Sequence, residues 1–211
     1  MASFLVVLDV DSTLIEQEAI ELLADEAGVV KEVAAITARA MAGELDFAAS
    51  LAERVALLAG LDTAAIERVA PRITLTQGAR ELVSGVHAAG GCVAVVSGGF
   101  HELLDPIALG LRLDAHRANR LTVADGRFTG TTRGPVIDAA AKADALREWA
   151  AHFGVPQHRT IAVGDGANDL AMMAAAGLSI AFDAKPVVRA AAHLNLPDRD
   201  LSAVLAALGV R

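Results

Sequence analysis

SFLVVLDVDSTL, residues 3–14, opens on an apolar run, Phe4 to Leu8, fit for a buried strand, and then sets two aspartates, Asp9 and Asp11, at its end. A carboxylate buried without a partner is costly. Acids in this position either lie at the solvent end of the strand or are there to meet a cation. Similar apolar runs recur at GCVAVVSG (91–98), TIAVGD (160–165) and LSIAF (178–182), each bounded by Gly, Asp or Ser. Several are separated by helix-length amphipathic stretches, the alternation of an α/β fold with a Rossmann-like parallel sheet. Three of the strands end in polar residues, Asp9, Ser97 and Asp165. In open α/β sheets ligands bind beyond the carboxyl ends of the strands, so these three ends are expected to converge on one crevice.

The segment between the first two strands, from Asp9 to Cys92, is far longer than the dozen or so residues a crossover requires. Its extra length reads as four helices, EQEAIELLADEAG, VKEVAAITARAMAG, DFAASLAERVALLAG and DTAAIERVA, with apolar residues at i, i+3/i+4 spacing. Gly28, Gly43 and Gly60 serve as stops, Asp46 and Asp62 as N-caps, and Pro71 closes the last helix. The expected organisation is a catalytic core of residues 1–13 and 72–211 with an inserted helical cap of residues 14–71 over the crevice. NRLTVADGRFTGTT (119–132) alternates around Asp125-Gly126 and predicts a small inserted β-hairpin. DLSAVLAALG (200–209) predicts a closing helix.

The composition is that of a folded globular protein: 54% hydrophobic and 21% charged residues in a chain of 211, enough for one domain carrying an insertion. Aromatics make up only 3%, so the core is built from Ala, Val, Leu and Ile. The formal charge is −8, and the bases are scattered, which argues against nucleic acid or an anionic membrane as partner. No apolar run reaches the ~20 residues of a membrane helix, and Asp9 interrupts the first run too early for a signal peptide. The single cysteine, Cys92, reads as a buried strand thiol and suits a reducing cytoplasm. Six histidines without ligand spacing do not suggest zinc.

In DVDST, Asp9 and Asp11 stand two apart and face one side of an extended segment. GDGANDLAM (164–172) adds Asp165 and Asp169 around glycines after the strand TIAV. Four clustered carboxylates repel unless a divalent cation and a lysine compensate them, and hard oxygen ligands of this kind suit Mg²⁺. The lysine candidate is Lys142, in DAAAKADALREWA (138–150). In VVSGGF (95–100), Ser97 offers a hydroxyl, and Gly98 and Gly99 let backbone N–H groups approach an anion. With acids, metal and lysine beside it, a phosphate cradle is the better reading than a simple turn.

DVDST, VVSGGF, Lys142 and GDGANDLAM together resemble the four motifs of the haloacid dehalogenase superfamily of phosphatases, in their usual order and over the whole chain. MAGELDF (41–47) and SLAERVALL (50–58) resemble the lids of those members that act on phosphoserine. The resemblance implies Asp9 as nucleophile, forming an aspartyl phosphate, and Asp11 as general acid and then base. It assigns Mg²⁺ to Asp9, the Asp11 carbonyl and Asp165, with Asp169 orienting the metal shell. Ser97, Gly98 and Lys142 would hold the transferring oxygens, and Asn168 would reach the substrate. Glu18 would meet the substrate ammonium and Arg54 its carboxylate, with Met41 and Phe47 shielding the pocket. Phe47 and Arg54, seven residues apart on one predicted helix, share a face.

The implied activity is hydrolysis of a small phosphomonoester, phosphoserine, as the last step of serine biosynthesis, with a monomer or a homodimer both compatible. Rival readings are transfer of the phosphoryl group to homoserine, hydrolysis of another small phosphomonoester, and a phospho-receiver signalling module. The lid, the D-x-D spacing and the second acidic loop speak against the receiver.

Overall fold

The structure, a computed structural model, describes residues 2–210. Seven strands form one sheet in the order β4-β3-β2-β1-β5-β6-β7. They are β1 (Leu5–Leu8), β2 (Cys92–Phe100), β3 (Ala115–Ala124), β4 (Arg127–Arg133), β5 (Thr160–Gly164), β6 (Leu178–Phe182) and β7 (Leu194–Leu196). Every pair is parallel except β3–β4. β1 lies between β2 and β5, in register with both, Leu8 opposite Val95 and Val163. The carboxyl ends that carry Asp9, Ser97 and Asp165 are therefore neighbours at the point where the strand order changes direction, as the sequence predicts.

Alternation along the strands feeds two cores. Val6 and Leu8, with Val93, Val95, Ile161 and Val163, pack against α5 (Ala79–Ala88) and the closing helix α10 (Ala203–Ala207). Leu5 and Val7, with Ala94, Val96 and Ala162, pack on the other face against α7 (Ala139–Phe153), α8 (Leu170–Ala175) and α9 (Pro186–Ala191). Between β2 and β3 runs α6 (His101–Leu111). Cys92, expected buried, is half-buried at the start of β2.

The inserted segment forms α1 (Ala19–Ala27), α2 (Val30–Met41), α3 (Phe47–Ala56) and α4 (Ala65–Val69). Asp46 caps α3, accepting the Ala49 N–H at 2.7 Å. Asp62 instead faces Arg68 at 3.2 Å. The hairpin is more than the small insertion expected of it. β3 starts at Ala115, pairs in parallel with β2 as far as Asn119, and from Arg120 pairs antiparallel with β4. Leu121 and Phe128 of the hairpin join Leu23, Val33, Leu51, Val55 and Leu58 in a third core. Main-chain bonds fasten it there, Gly60 N–H to Phe128 C=O at 2.8 Å and Phe128 N–H to Leu61 C=O at 2.9 Å. Four short helices alone would expose the apolar side that the hairpin covers. β7, three residues long, has too little apolar pattern to announce itself in the sequence.

Candidate active site

After Leu8 the chain turns at once. Residues Val10–Leu14 make a single wide turn closed by the Ile15 N–H on the Val10 carbonyl at 2.9 Å, with Ser12 at φ 57°. Asp9 is buried. Its Oδ1 accepts the Val10 N–H at 2.7 Å and lies 2.6 Å from Lys142 Nζ. Its Oδ2 takes no hydrogen bond among the described residues, and the side chain lines a cavity of about 180 Å³.

Lys142 comes from the second turn of α7, which Asp138 caps by accepting the Ala141 N–H at 2.9 Å. The ammonium is fully buried and also donates to Asp169 Oδ1 at 2.8 Å. Burial opposes its charge, but Asp169 and Asp9 outweigh that and hold it above the ordinary lysine value. Asp169 Oδ2 accepts the Gly166 N–H at 3.1 Å. A Cβ on Gly164 would run into the Asp169 carboxylate, which is why glycine ends β5.

Asp9, Asp165 and Asp169 each bring a carboxylate oxygen within 4.8 Å of the others. Burial first, then the charge of Asp169, push the Asp9 carboxyl well above its usual range despite Lys142. Asp165 is raised by burial and by Asp169, with Lys185 opposing. Lys142 and Lys185 together still leave the three acids short of positive charge. All their donors are hard oxygens, so Asp9, Asp165 and Asp169 could hold a divalent cation of the Mg²⁺ kind.

Asp11 points to the other side of the cavity. Its Oδ1 accepts the Ala19 N–H at 2.7 Å, at the start of α1, and its Oδ2 accepts from Ser97 Oγ at 2.8 Å. A Cβ on Gly99 would stand 2.9 Å from Asp11 Oδ2, and one on Gly98 2.7 Å from Phe47 Cζ. Both glycines are there because the walls close on the loop.

The opposite wall comes from α1 and α3. Glu18, Phe47 and Arg54 all line the cavity, as does Asn168 from the GDGAND loop. Arg54 Nε donates to the Ser50 carbonyl at 3.2 Å, and no carboxylate among the described residues lies within 4.0 Å of the guanidinium. Partial burial lowers its pKa, while Glu18 and Asp11 act on it from a distance in the opposite sense. Glu18 Oε1 accepts from Ser12 Oγ at 2.8 Å. Loss of hydration first, then the charge of Asp11, push the Glu18 carboxyl up to about 7.

Met41 is not brought to the cavity. It ends α2 with 72% of its surface exposed. Lys185, which the sequence reading passed over, does line the cavity. It follows β6 in FDAKP and its N–H donates to the Asp165 carbonyl at 3.0 Å. A cationic residue just past a strand adjoining β5 was the available signal. His101, Asp105 and His116 also gather their ligand atoms. However, His101 Nε2 accepts the Ala118 N–H at 3.1 Å, so its proton sits on Nδ1 and goes to Asp105 at 2.6 Å. That is a hydrogen-bonded cluster and not a free ligand set.

The fold and this set of strand-end acids, lysine and glycine loop define the class. The chain belongs to the haloacid dehalogenase-like hydrolases, whose family model matches residues 6–174. It is 53% identical over 209 residues to the phosphoserine phosphatase of Streptomyces coelicolor, covering 99% of this chain and 51% of that protein. To the phosphoserine phosphatase of Lactococcus lactis it is 50% identical over 204 residues, covering 97% and 94%. The chain thus spans about half the length of the first relative and nearly all of the second. A solved structure described as a phospho-aspartyl intermediate analogue of phosphoserine phosphatase superposes with a TM-score of 0.92 at 43% identity, covering 98% of this chain and 99% of that one.

Proposed function

We propose that the protein is a Mg²⁺-dependent phosphatase that hydrolyses O-phospho-L-serine to L-serine and phosphate through an aspartyl phosphate on Asp9, closing serine biosynthesis. The observation that carries this reading is the state of Asp9. One oxygen is fixed by Lys142 and the Val10 N–H, and the other is free at the cavity.

In the first step Asp9 Oδ2 forms a bond to phosphorus while the bond from phosphorus to the serine oxygen breaks. Asp11 delivers a proton to that oxygen. In the second step a water attacks phosphorus, Asp11 takes its proton, and the bond from phosphorus to Asp9 breaks. The Ser97 hydroxyl serves both states of Asp11. It donates to the carboxylate, and when Asp11 is protonated it can turn to a phosphoryl oxygen. Lys142 offsets charge on Asp9 and on the transferring group. Mg²⁺, held by Asp9, the Asp11 carbonyl and Asp165, with Asp169 orienting its shell, would neutralise repulsion between nucleophile and phosphate. On the opposite wall, Arg54 and Glu18 supply one charge each for an amino acid's carboxylate and ammonium, and Phe47 covers the phosphoryl loop.

The test is phosphate release from both phosphoserine enantiomers and from p-nitrophenyl phosphate, with Mg²⁺, with EDTA, and with homoserine added. Rapid, EDTA-sensitive release from the L enantiomer is expected. EDTA-resistant turnover would remove the metal from the account, and phosphohomoserine as main product would make the protein a phosphotransferase.

A further inference from the structure

The phosphoryl loop is held from behind by a residue to which none of the steps above gives a role. Val96 of β2 lies opposite Arg117 of β3, but Phe100 lies opposite Asn119, so Ser97, Gly98 and Gly99 span the length that Ala118 alone spans on β3. The loop bulges out of the ladder and loses regular main-chain partners. Asn119, only 2% exposed, fills the gap. Its Nδ2 donates to the Gly98 carbonyl at 2.8 Å, and its Oδ1 accepts the Ile137 N–H at 2.9 Å. The side-chain amide offers a donor and an acceptor in one plane, one for each of these main-chain groups.

Peptide planarity passes this grip forward. The Gly98 carbonyl and the Gly99 N–H belong to one trans unit and point opposite ways. With the carbonyl drawn to Asn119, the Gly99 N–H faces the site and donates to Ser97 Oγ at 2.7 Å. That occupies one lone pair of the hydroxyl, whose proton then goes to Asp11 Oδ2 at 2.8 Å. The same amide also fixes Ile137, next to the Asp138 cap of the helix that carries Lys142.

We propose that Asn119 is a positioning residue. By holding the Gly98 carbonyl it sets the Gly98–Gly99 peptide plane, and through the Gly99 N–H it aims the Ser97 hydroxyl between Asp11 and the phosphoryl oxygens. This rests on the phosphatase reading and adds to it a residue outside the cavity.

The experiment is a cycle of Asn119→Ala with Ser97→Ala, read as kcat/KM for phosphoserine, together with Gly99 amide hydrogen exchange by NMR. Asn119→Ala should lower kcat/KM about 10- to 100-fold in the native background and less than about threefold in the Ser97→Ala background, because the two act through one hydroxyl. Gly99 exchange should quicken while the amides of Val93–Val95 stay protected. Equal losses in both backgrounds, or Gly99 exchange unchanged, would overturn the proposal. If Asn119→Ala does not fold, Asn119→Leu, which keeps most of the buried volume and removes the donor to Gly98, carries the same expectations. A native protein without turnover would remove the phosphatase reading, whereas Gly99 exchange would still decide what Asn119 does to the peptide plane.

Discussion

Two cations of the site do different work, and substitution separates them. Arg54 is half-buried with no carboxylate within ion-pair distance among the described residues, and it faces the cavity from the wall opposite Asp9. If it grips the substrate carboxylate, Arg54→Ala should lower kcat/KM for phosphoserine by about 30- to 1,000-fold, or 2–4 kcal/mol, and leave p-nitrophenyl phosphate nearly untouched. Lys142→Met should damage both substrates, since Lys142 touches the nucleophile itself at 2.6 Å. Equal losses for Arg54→Ala on both substrates would mean that it supports the fold and reads nothing. Glu18 gives a pH signature. A carboxyl whose pKa is raised to about 7 is half-protonated at neutral pH, and only its ionised form attracts an ammonium. As pH falls below 7, the ratio of kcat/KM for phosphoserine to that for p-nitrophenyl phosphate should fall by up to about tenfold per unit. Taking the ratio cancels the titration of the enzyme's own phosphoryl-transfer groups, which serve both substrates. Glu18→Gln should flatten the ratio, and a ratio already flat in the native protein would separate Glu18 from the ammonium.

At the scale of elements, α1–α4 and the β3–β4 hairpin behave as one unit, because Leu121 and Phe128 complete the helical core. Gly130 is where they meet most closely. Its φ is +82°, and a Cβ there would stand 2.9 Å from Ala59 Cβ and 3.1 Å from the Ala56 carbonyl. Gly130→Ala should cost about 2–3 kcal/mol, the left-handed backbone and the contact with α3 adding, and should show as a lower midpoint of urea unfolding. No change in the midpoint would mean that the hairpin can move away from α3 freely. The helices were legible in the sequence because their apolar residues repeat at helical spacing, and Asp46 before Phe47 marks one start. That the hairpin completes their core was not. Leu121 and Phe128 lie some sixty residues or more from Leu58 and Leu61 along the chain, and no local pattern reports such a contact.

For the whole molecule, the sheet does the assembling: β1 between β2 and β5 gathers Asp9, Ser97 and Asp165 on one edge. Those residues were legible because each breaks an apolar run with a polar group at the ligand-binding end of a strand. Lys142 was legible only in company, since a helix lysine alone is ordinary, and its full burial is a fact of packing. Lys185 and Asn119 were missed because one sits on a loop with no motif and the other acts through backbone atoms. Among the described residues no helix is long and apolar enough to cross a membrane. The central claim is that Asp9 carries the phosphoryl group. The most direct measurement is an acid-quenched single turnover with phosphoserine and Mg²⁺, followed by peptide mapping by mass spectrometry. A phosphoryl mass increment on the peptide containing Asp9, absent from Asp9→Asn, is the expected result. Turnover with the label on another residue, or full activity in Asp9→Asn, would contradict it.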